Sequence, residues 1–352
     1  MELLQWMSAG DCERMVAVQD RASGLRAWIA LHHTERGPAY GGVRIWRYRS
    51  EGAAAADALR LAQAMTYKCV LAGIPGGGAK TVVLADYLHD RPAAMEALGR
   101  EIEKLGGIYR SGPDVGFTEA DGLAMGRGTR WLAHKGVRTG LRAAGEATAE
   151  GVLWGIRAAL SHLGHDDLSG ARVSVQGLGS VGLVLSRLLI DAGVTVIGSD
   201  LSEDACAAAK TLGVELVDPS QIFDVEADVF APCAMGGILH DLSIQRLRVR
   251  AVAGAANNPL ARDDHARLLA DQNIVFVPDF VSNAGALIEG AGHEACGRTD
   301  WSNELHNIGV TVSSVLHRAD ADGRNPLETA RHMAEEILEE EKKSRVVSQE
   351  VE

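Results

Sequence analysis

The stretch ARVSVQGLGSVG, residues 171–182, decides the fold. Val173 and Val175 alternate with small or polar residues and read as a strand, and a glycine turn follows before a helix opens. Gly177, Gly179 and Gly182 form G-x-G-x-x-G. The first glycine admits a tight turn and the second lets the backbone approach a pyrophosphate. The third lets helix and strand pack closely, with the phosphates at the helix N-terminus. Alone the pattern is weak, but the next strand, GVTVIGSD, ends in Asp200, 23 residues after Gly177. An acid at that distance suits the adenosine ribose hydroxyls. Its charge would repel a 2′-phosphate, and LSEDACAAA after it holds no Lys or Arg, so the expected cofactor is NAD rather than NADP. Asp200 as a mere cap of the next helix is the alternative.

Beyond this unit, ADVFAPCA, VRAVAGAANN and NIVFVPDF read as further strands alternating with helical stretches. That rhythm predicts a parallel sheet with crossover helices. Upstream, LRAWIALHH (25–33) reads as a strand and AAAADALRLAQAMTYK (53–68) as a helix with Leu61, Met65 and Lys68 on one face. KTVVLAD (80–86) reads as a strand beginning at Lys80, and RPAAMEALGREIEKLG as a helix with Pro92 in its first turn. The expected class is α/β with two domains: residues 1–140, and a Rossmann-type doubly wound domain over 141–314. The charged amphipathic helix of NPLETARHMAEEILEEEKKSR lies in a tail, about 315–352, expected to pack back on the first domain or on a partner subunit.

The 352 residues are 46% hydrophobic and carry a net charge of −12, which argues against nucleic acid or anionic membrane as a general partner. Cys12, Cys69, Cys206, Cys233 and Cys296 are scattered, and none forms C-x-x-C. This predicts a reducing, cytoplasmic setting without disulfides. His293, Glu294 and Cys296 make at most half a metal site, so no metal is expected. The first residues lack a basic segment followed by an apolar one, which predicts no signal peptide, and no apolar run is long enough to span a bilayer.

MTYKCVLAGIPGGGAKTVV, residues 65–83, sets Lys68 and Lys80 on either side of a glycine-rich loop. A phosphate-binding P-loop needs G-x-x-x-x-G-K-S/T. Gly73 and Gly78 fit, but Ala79 pushes Lys80 one place too far. Two lysines in an apolar cleft suit an amino acid instead. One ammonium would hold the α-carboxylate. The other, crowded and desolvated, would have a lowered pKa and act as a base. A carboxylate to exchange protons with the amino group is available at Asp114, between Gly112 and Gly116 in GPDVGFTEAD. Spacing alone equally allows Lys68 and Lys80 to be solvated ends of a helix and a strand, and Asp114 a turn residue.

GPAYGGVRIW, ALRLAQAMTYK, GGGAKTVV, PDVG, VQGLGSVG, ADVFAPCAMGG, AGAANN and PDFVSNAGA occur in this order over about residues 35–290. Together they make the sequence resemble the glutamate/leucine/phenylalanine/valine dehydrogenase family, most of all its shorter branch acting on hydrophobic amino acids. The resemblance implies an NAD-dependent L-amino acid dehydrogenase, homo-oligomeric through a first domain that binds substrate and is completed by the C-terminal helix. It implies Lys68, helped by Gly41 and Gly42, on the substrate carboxylate, with Met65 lining the substrate. Lys80 would activate water, and Asp114 would exchange protons with nitrogen. Thr148 and Asn283 would hold the nicotinamide end. Ser180, Val181, Leu201, Cys233, Ala234, Ala255, Ala256 and Asn257 would line the cofactor groove, Cys233 as a wall and not a nucleophile.

Four departures from the family pattern bear on substrate identity. Tyr40 replaces a smaller aliphatic residue, and Pro113 stands where an acid is usual. GEATAEG lacks a Pro-Ser run, and Ala286 replaces a glycine. The implied side-chain pocket is shaped by Gly112 and Leu287, with Gly290 removing bulk and Tyr40 restoring it. This predicts phenylalanine first and branched-chain amino acids second. A non-catalytic homologue that binds NAD and amino acid is the alternative of another class. A 2-hydroxy-acid dehydrogenase would need a His–carboxylate or Arg–His pair in a recognisable setting, and the sequence offers none.

Overall fold

The computed structural model describes residues 3–133 and 143–349, with the backbone alone at 295, 296 and 345–349. The chain forms two compact units, residues 1–140 and 141–352.

The first unit holds α1 (Leu3–Ala9), β1 (Arg14–Asp20), β2 (Leu25–Leu31), β3 (Ala39–Trp46) and α2 (Glu51–Leu71). There follow β4 (Gly77–Leu84), a short 3-10 turn, α3 (Arg91–Lys104), β5 (Tyr109–Pro113) and α4 (Glu119–Gly126). The strands lie in the order β1-β2-β4-β3-β5. The β1, β2 and β4 pairings are antiparallel, and β3 runs parallel to both β4 and β5. β4 is buried at every position, as a strand covered on both faces must be. On one face Ile29, Leu31, Val43, Ile45 and Val83 pack against Met95, Leu98 and Met125 of α3 and α4. On the other, Ala30, Val82 and Leu84 meet Ala54, Ala58, Leu59 and Ala62 of α2. Each fully buried Leu, Ile or Val contributes about 1.5–3 kcal/mol relative to exposure. The alanines of α2 let that helix lie close to the sheet. Ser50 caps it, its Oγ accepting from Ala53 N–H.

The second unit begins with α5 (Ala144–His162), β6 (Arg172–Gln176), α6 (Gly182–Asp191), β7 (Thr195–Ser199), α7 (Glu203–Thr211) and β8 (Glu215–Leu216). It continues with β9 (Val229–Pro232), α8 (Asp241–Ile244), β10 (Ala251–Val252), α9 (Asp264–Asp271) and β11 (Val275–Phe276). The last elements are α10 (Asp279–Ser282), α11 (Gly285–Cys296), α12 (Ser302–Asp322) and α13 (Pro326–Gln349). The strands order as β11-β10-β9-β6-β7-β8, and every pairing is parallel. Read from the other edge this is the doubly wound dinucleotide-binding order. The order in which strands are added reverses between β6 and β9, and at such a switch point the loops after the two strands part at their carboxyl ends.

The tail, expected to pack back on the first domain or on a partner subunit, lies within the second compact unit. The apolar stripe Leu305, Ile308, Val312, Val315 and Leu316 of α12 is buried, and Trp154 of α5 meets His306 edge-on with ring centroids 4.3 Å apart. α13 is tied to the same unit by Arg331–Asp263 at 2.7 Å and Arg267–Glu328 at 3.1 Å. An amphipathic pattern announces a buried face but not which surface will cover it. Among the described residues no helix is long and apolar enough to cross a membrane.

Candidate active site

In the first unit the site is built on one row of the sheet. Lys80 is the fourth residue of β4, not its first as the sequence suggested. It pairs with Ala30 on β2. The pairs Tyr40↔Gly78 and Val43↔Thr81 set Gly42 level with Lys80, and Gly42 pairs onward with Gly112. The row therefore runs Ala30, Lys80, Gly42, Gly112, with no side chain beyond a methyl beside the lysine.

Asp114 follows the end of β5. Its Oδ2 lies 2.7 Å from Lys80 Nζ, and the two side chains are 9% and 7% exposed. A Cβ on Gly42 would stand 2.6 Å from Pro113 O and 2.9 Å from Asp114 Cβ, so the bare glycine is what lets this loop close over the strand. Pro113, the last residue of an edge strand, leaves the carboxylate within reach of the lysine.

Burial pulls the Lys80 amine below the usual lysine range, and the nearby Arg44 charge adds to this against the opposing pull of Asp114. For Asp114, burial would raise the carboxyl, but the Lys80 and Arg44 charges outweigh it and hold it at about 2. At rest the pair thus combines an ionised carboxylate with an amine that gives up its proton more readily than an ordinary lysine.

Gly78 brings the next residues in. A Cβ there would lie 2.2 Å from Thr66 N and 2.7 Å from the Met65 carbonyl carbon, so α2 rests directly on β4. Met65 and Lys68, both half-buried, ride on that helix. Gly41 contributes its carbonyl to the Tyr109 hydroxyl at 3.1 Å. The Tyr40 ring is buried and packs over Gly76, where an added Cβ would meet its Cε2 at 2.6 Å. Its ring is thereby turned toward the glycine loop. A Cβ on Gly112 would meet only Ala133 Cβ, at 3.8 Å, among the described residues.

One arginine escaped the sequence reading. Arg44 Nε donates to the same Asp114 Oδ2 at 2.9 Å, and its Nη1 meets Asp57 Oδ2 at 3.2 Å. Tyr48 OH donates to that Asp57 oxygen at 2.6 Å, and Arg60 Nη2 holds Oδ1 at 2.7 Å. The signal was present in GPAYGGVRIW: positions 40, 42 and 44 of a strand share a face.

In the second unit the predicted cofactor residues gather at the crevice beside β6 and β9. Gly177 has φ +92°, a turn only glycine adopts freely, and a Cβ there would meet Ala234 Cβ at 2.6 Å. A Cβ on Gly182 would stand 1.8 Å from Gly177 O, whereas at Gly179 nothing lies within 4 Å. The middle glycine is open for a ligand to approach. Ser180 is exposed there, and α6 begins at Gly182 after Val181 with no side-chain cap on its first amides.

Asp200 Oδ2 accepts from Leu178 N–H at 2.7 Å and Oδ1 from Ser202 N–H at 2.8 Å, while Ser202 caps α7. The helix-cap alternative for Asp200 therefore falls to Ser202. Leu201 beside it is 91% exposed. Across the crevice, Ala255 and Ala256 N–H both donate to Pro232 O, which fixes the β10 loop against the β9 loop carrying Cys233 and Ala234. Burial pushes the Cys233 thiol up to about 12, away from the thiolate form a nucleophile needs.

Asn283 donates both amide hydrogens, to Ala255 O at 3.1 Å and Asn257 Oδ1 at 3.0 Å. Its own Oδ1 is buried without a hydrogen-bond partner. Thr148 stands on α5 where α11 begins: a Cβ on Gly285 would lie 1.9 Å from Ala147 O and 3.0 Å from Thr148 N. Leu287 and Gly290 follow one turn apart on α11, both half-buried, with Ala286 between Gly285 and Leu287. The open glycine, the uncapped helix start and the orphaned Asn283 oxygen fit a nicotinamide dinucleotide. Cys296 lies outside the described side chains, so the half-site it would share with His293 and Glu294 is not described.

Comparison with known proteins bears on both sets of residues. Residues 12–131 match the model of "Glu/Leu/Phe/Val dehydrogenase, dimerisation domain", and residues 140–205 and 202–304 match "Glutamate/Leucine/Phenylalanine/Valine dehydrogenase". The chain is 40% identical over 353 residues to a leucine dehydrogenase of Thermoactinomyces intermedius, covering 98% of this chain and 96% of that one. It is 36% identical over 338 residues to a phenylalanine dehydrogenase of Bacillus thermotolerans, covering 93% and 88%. The crystal structure of L-tryptophan dehydrogenase from Nostoc punctiforme aligns with TM-score 0.84 at 34% identity, over 97% of this chain and 99% of that chain.

Proposed function

The chain belongs to the glutamate/leucine/phenylalanine/valine dehydrogenase family, and from that premise we propose that it catalyses the reversible oxidative deamination of a large apolar L-amino acid with NAD. The balanced reaction is amino acid, water and NAD⁺ giving 2-oxo acid, ammonium, NADH and a proton. The observation that carries the reading is the buried contact of 2.7 Å between Lys80 Nζ and Asp114 Oδ2.

Bound NAD⁺ supplies the hydride acceptor for the substrate Cα. The chain's own residues do the rest. Lys68 holds the substrate carboxylate, and Gly41 and Gly42 leave room for it. Asp114, held ionised, accepts a proton from the substrate ammonium, so the amine lone pair can assist hydride loss and an iminium forms. Lys80, eased toward its neutral form, takes a proton from the water that attacks that carbon. Lys80 releases that proton to solvent, Asp114 returns its own to the carbinolamine nitrogen, and the C–N bond breaks as Lys80 takes the hydroxyl proton, which the departing ammonia then carries off as ammonium. Burial of the pair keeps these transfers local.

The preference for NAD rests on Asp200, whose carboxylate is pinned beside the glycine turn. The open space at Gly112 and the Tyr40 ring turned toward Gly76 support a large side chain, phenylalanine before leucine or valine. The relatives named for leucine, phenylalanine and tryptophan support the hydrophobic class. The match to a dimerisation domain supports a homo-oligomer, and the scattered cysteines a cytoplasmic enzyme.

The test is NADH formation with Phe, Trp, Leu, Val and Glu, compared as kcat/KM. Phenylalanine as the best substrate is the expected result. Glutamate as the best would overturn the pocket assignment, valine would mean that Tyr40 fills the space, and no turnover with any of them would favour the non-catalytic homologue.

A further inference from the structure

Arg44 lies on β3 behind the catalytic pair and has no role in the scheme above, yet its surroundings are costly to build. Its side chain is 14% exposed, and it bridges two acids, Asp114 at 9% and Asp57 at 16%. Bringing these ions out of water costs several kcal/mol per ion, repaid only when each is well paired. Here each is. Asp57 is held by three donors, Arg44, Tyr48 and Arg60. Burial would raise its carboxyl, but Tyr48 and Arg60 outweigh this and keep it low. The Tyr48 hydroxyl is pushed above the usual tyrosine range, first by burial and then by Asp57, so it remains a donor. Arg44 is thus fixed at both ends, with its Nε on the very oxygen that Lys80 touches.

We propose that Arg44 is a positioning residue for the reaction: anchored by Asp57, it holds the Asp114 carboxylate at Lys80 and, as a permanent cation beside that amine, keeps Lys80 available as a base. This rests on the proposed roles of Lys80 and Asp114. Two cations share Asp114 Oδ2, and no described donor engages Oδ1, which is left for the substrate nitrogen. An arginine is suited to the fixed end of such a triad because it does not lose its proton, so of the two cations beside Asp114 only Lys80 exchanges one.

The other charged or titratable groups on elements around β4 do not substitute for it. Just past β2, His32 is bound to Thr66 Oγ1 and Gly10 O, and burial lowers it toward the neutral form. On β5, the Tyr109 hydroxyl is pushed up to about 12 by burial and meets Thr81. α2 carries Lys68 and Asp57. Asp57 acts with the opposite sign to Arg44, drawing the Lys80 amine up.

That opposition gives the test. Turnover in the deamination direction rises with pH as Lys80 loses its proton. Arg44→Gln removes the neighbouring cation and is expected to move this rising limb to higher pH, by about one unit for a charge so close. Asp57→Asn keeps the hydrogen-bonding shape but removes the anion, and is expected to move the limb to lower pH. Arg44→Lys retains the charge without the fork, so the limb stays while kcat falls. A uniform loss at all pH values with the limb unmoved in both Arg44→Gln and Asp57→Asn would overturn the proposal.

A second readout needs no turnover. The pH titration of Lys80, followed by NMR in the intact protein labelled with carbon-13 at lysine Cε and without substrate, reports the amine directly. A shift to higher pH in Arg44→Gln supports the link even if no amino acid is oxidised, and an unchanged profile rejects it whatever the activity. Should Arg44→Gln fail to fold, Asp57→Asn decides by the same measurement.

Discussion

Asp200, at the end of β7, accepts the backbone N–H of Leu178 in the glycine turn after β6, at 2.7 Å. One carboxylate thus ties the second strand of the dinucleotide unit to the loop that would carry the pyrophosphate. Replacing it with alanine removes both the negative charge that repels a 2′-phosphate and this tie. The expected outcome is a narrowed preference for NAD over NADP, with weaker binding of both, read from kcat/KM with each cofactor. Equal use of the two by the unaltered protein would reject the assignment.

Lys80→Ala is expected to lower kcat by a factor on the order of 10²–10⁴, the usual worth of a general acid or base, while NADH still binds. Lys68→Ala should instead act mainly on the amino-acid KM. Wild-type turnover in Lys80→Ala with the best substrate would show that the base lies elsewhere.

Asp114→Asn tests the electrostatics through stability. Neutralising the acid leaves Lys80 and Arg44 buried together, and losing one partner of a buried ion pair costs about 3–5 kcal/mol. The loss should depend on pH with a definite sign. Because the folded carboxyl is depressed to about 2 from 3.8, its contribution is present above pH 3.8 and disappears as pH falls through about 2. Denaturant unfolding should therefore separate wild type and variant widely at neutral pH and progressively less below pH 3.8. A constant separation across that range would contradict the depressed pKa.

Gly42→Ala introduces a methyl 2.6 Å from the Pro113 carbonyl oxygen. That backbone atom must move, and Asp114 moves with it. A displacement of about 1 Å can cost roughly 10²-fold in rate, and overpacking roughly 1–3 kcal/mol in stability. Assay and thermal melt together check this. An active variant of normal stability would mean that the row beside Lys80 has spare room.

Legibility in the sequence followed the range of the interaction. The glycines of 177–182 and Asp200 were readable because their demands are local: a positive φ, a bare Cα, a strand-end acid at a set distance. Lys80 and Asp114 could be named as candidates but not joined, since their contact depends on β3 and Asp114's strand pairing correctly. Arg44 was missed for the same reason. Its partner Asp114 is 70 residues away in sequence, and a lone arginine in a strand says nothing of what it faces. Which surface covers the tail was not legible, because a buried stripe carries no address.

Asn283 has a consequence of polarity. Both of its donors are spent on Ala255 and Asn257, and only its oxygen remains toward any newcomer. The position is therefore a one-way port: it welcomes a group that brings a hydrogen and turns away one that brings only lone pairs. A carboxamide meets that condition and the corresponding carboxylate does not. If the nicotinamide end is held at Asn283 as proposed, a dinucleotide whose ring amide had been hydrolysed to the acid is expected to bind more weakly than the amide form.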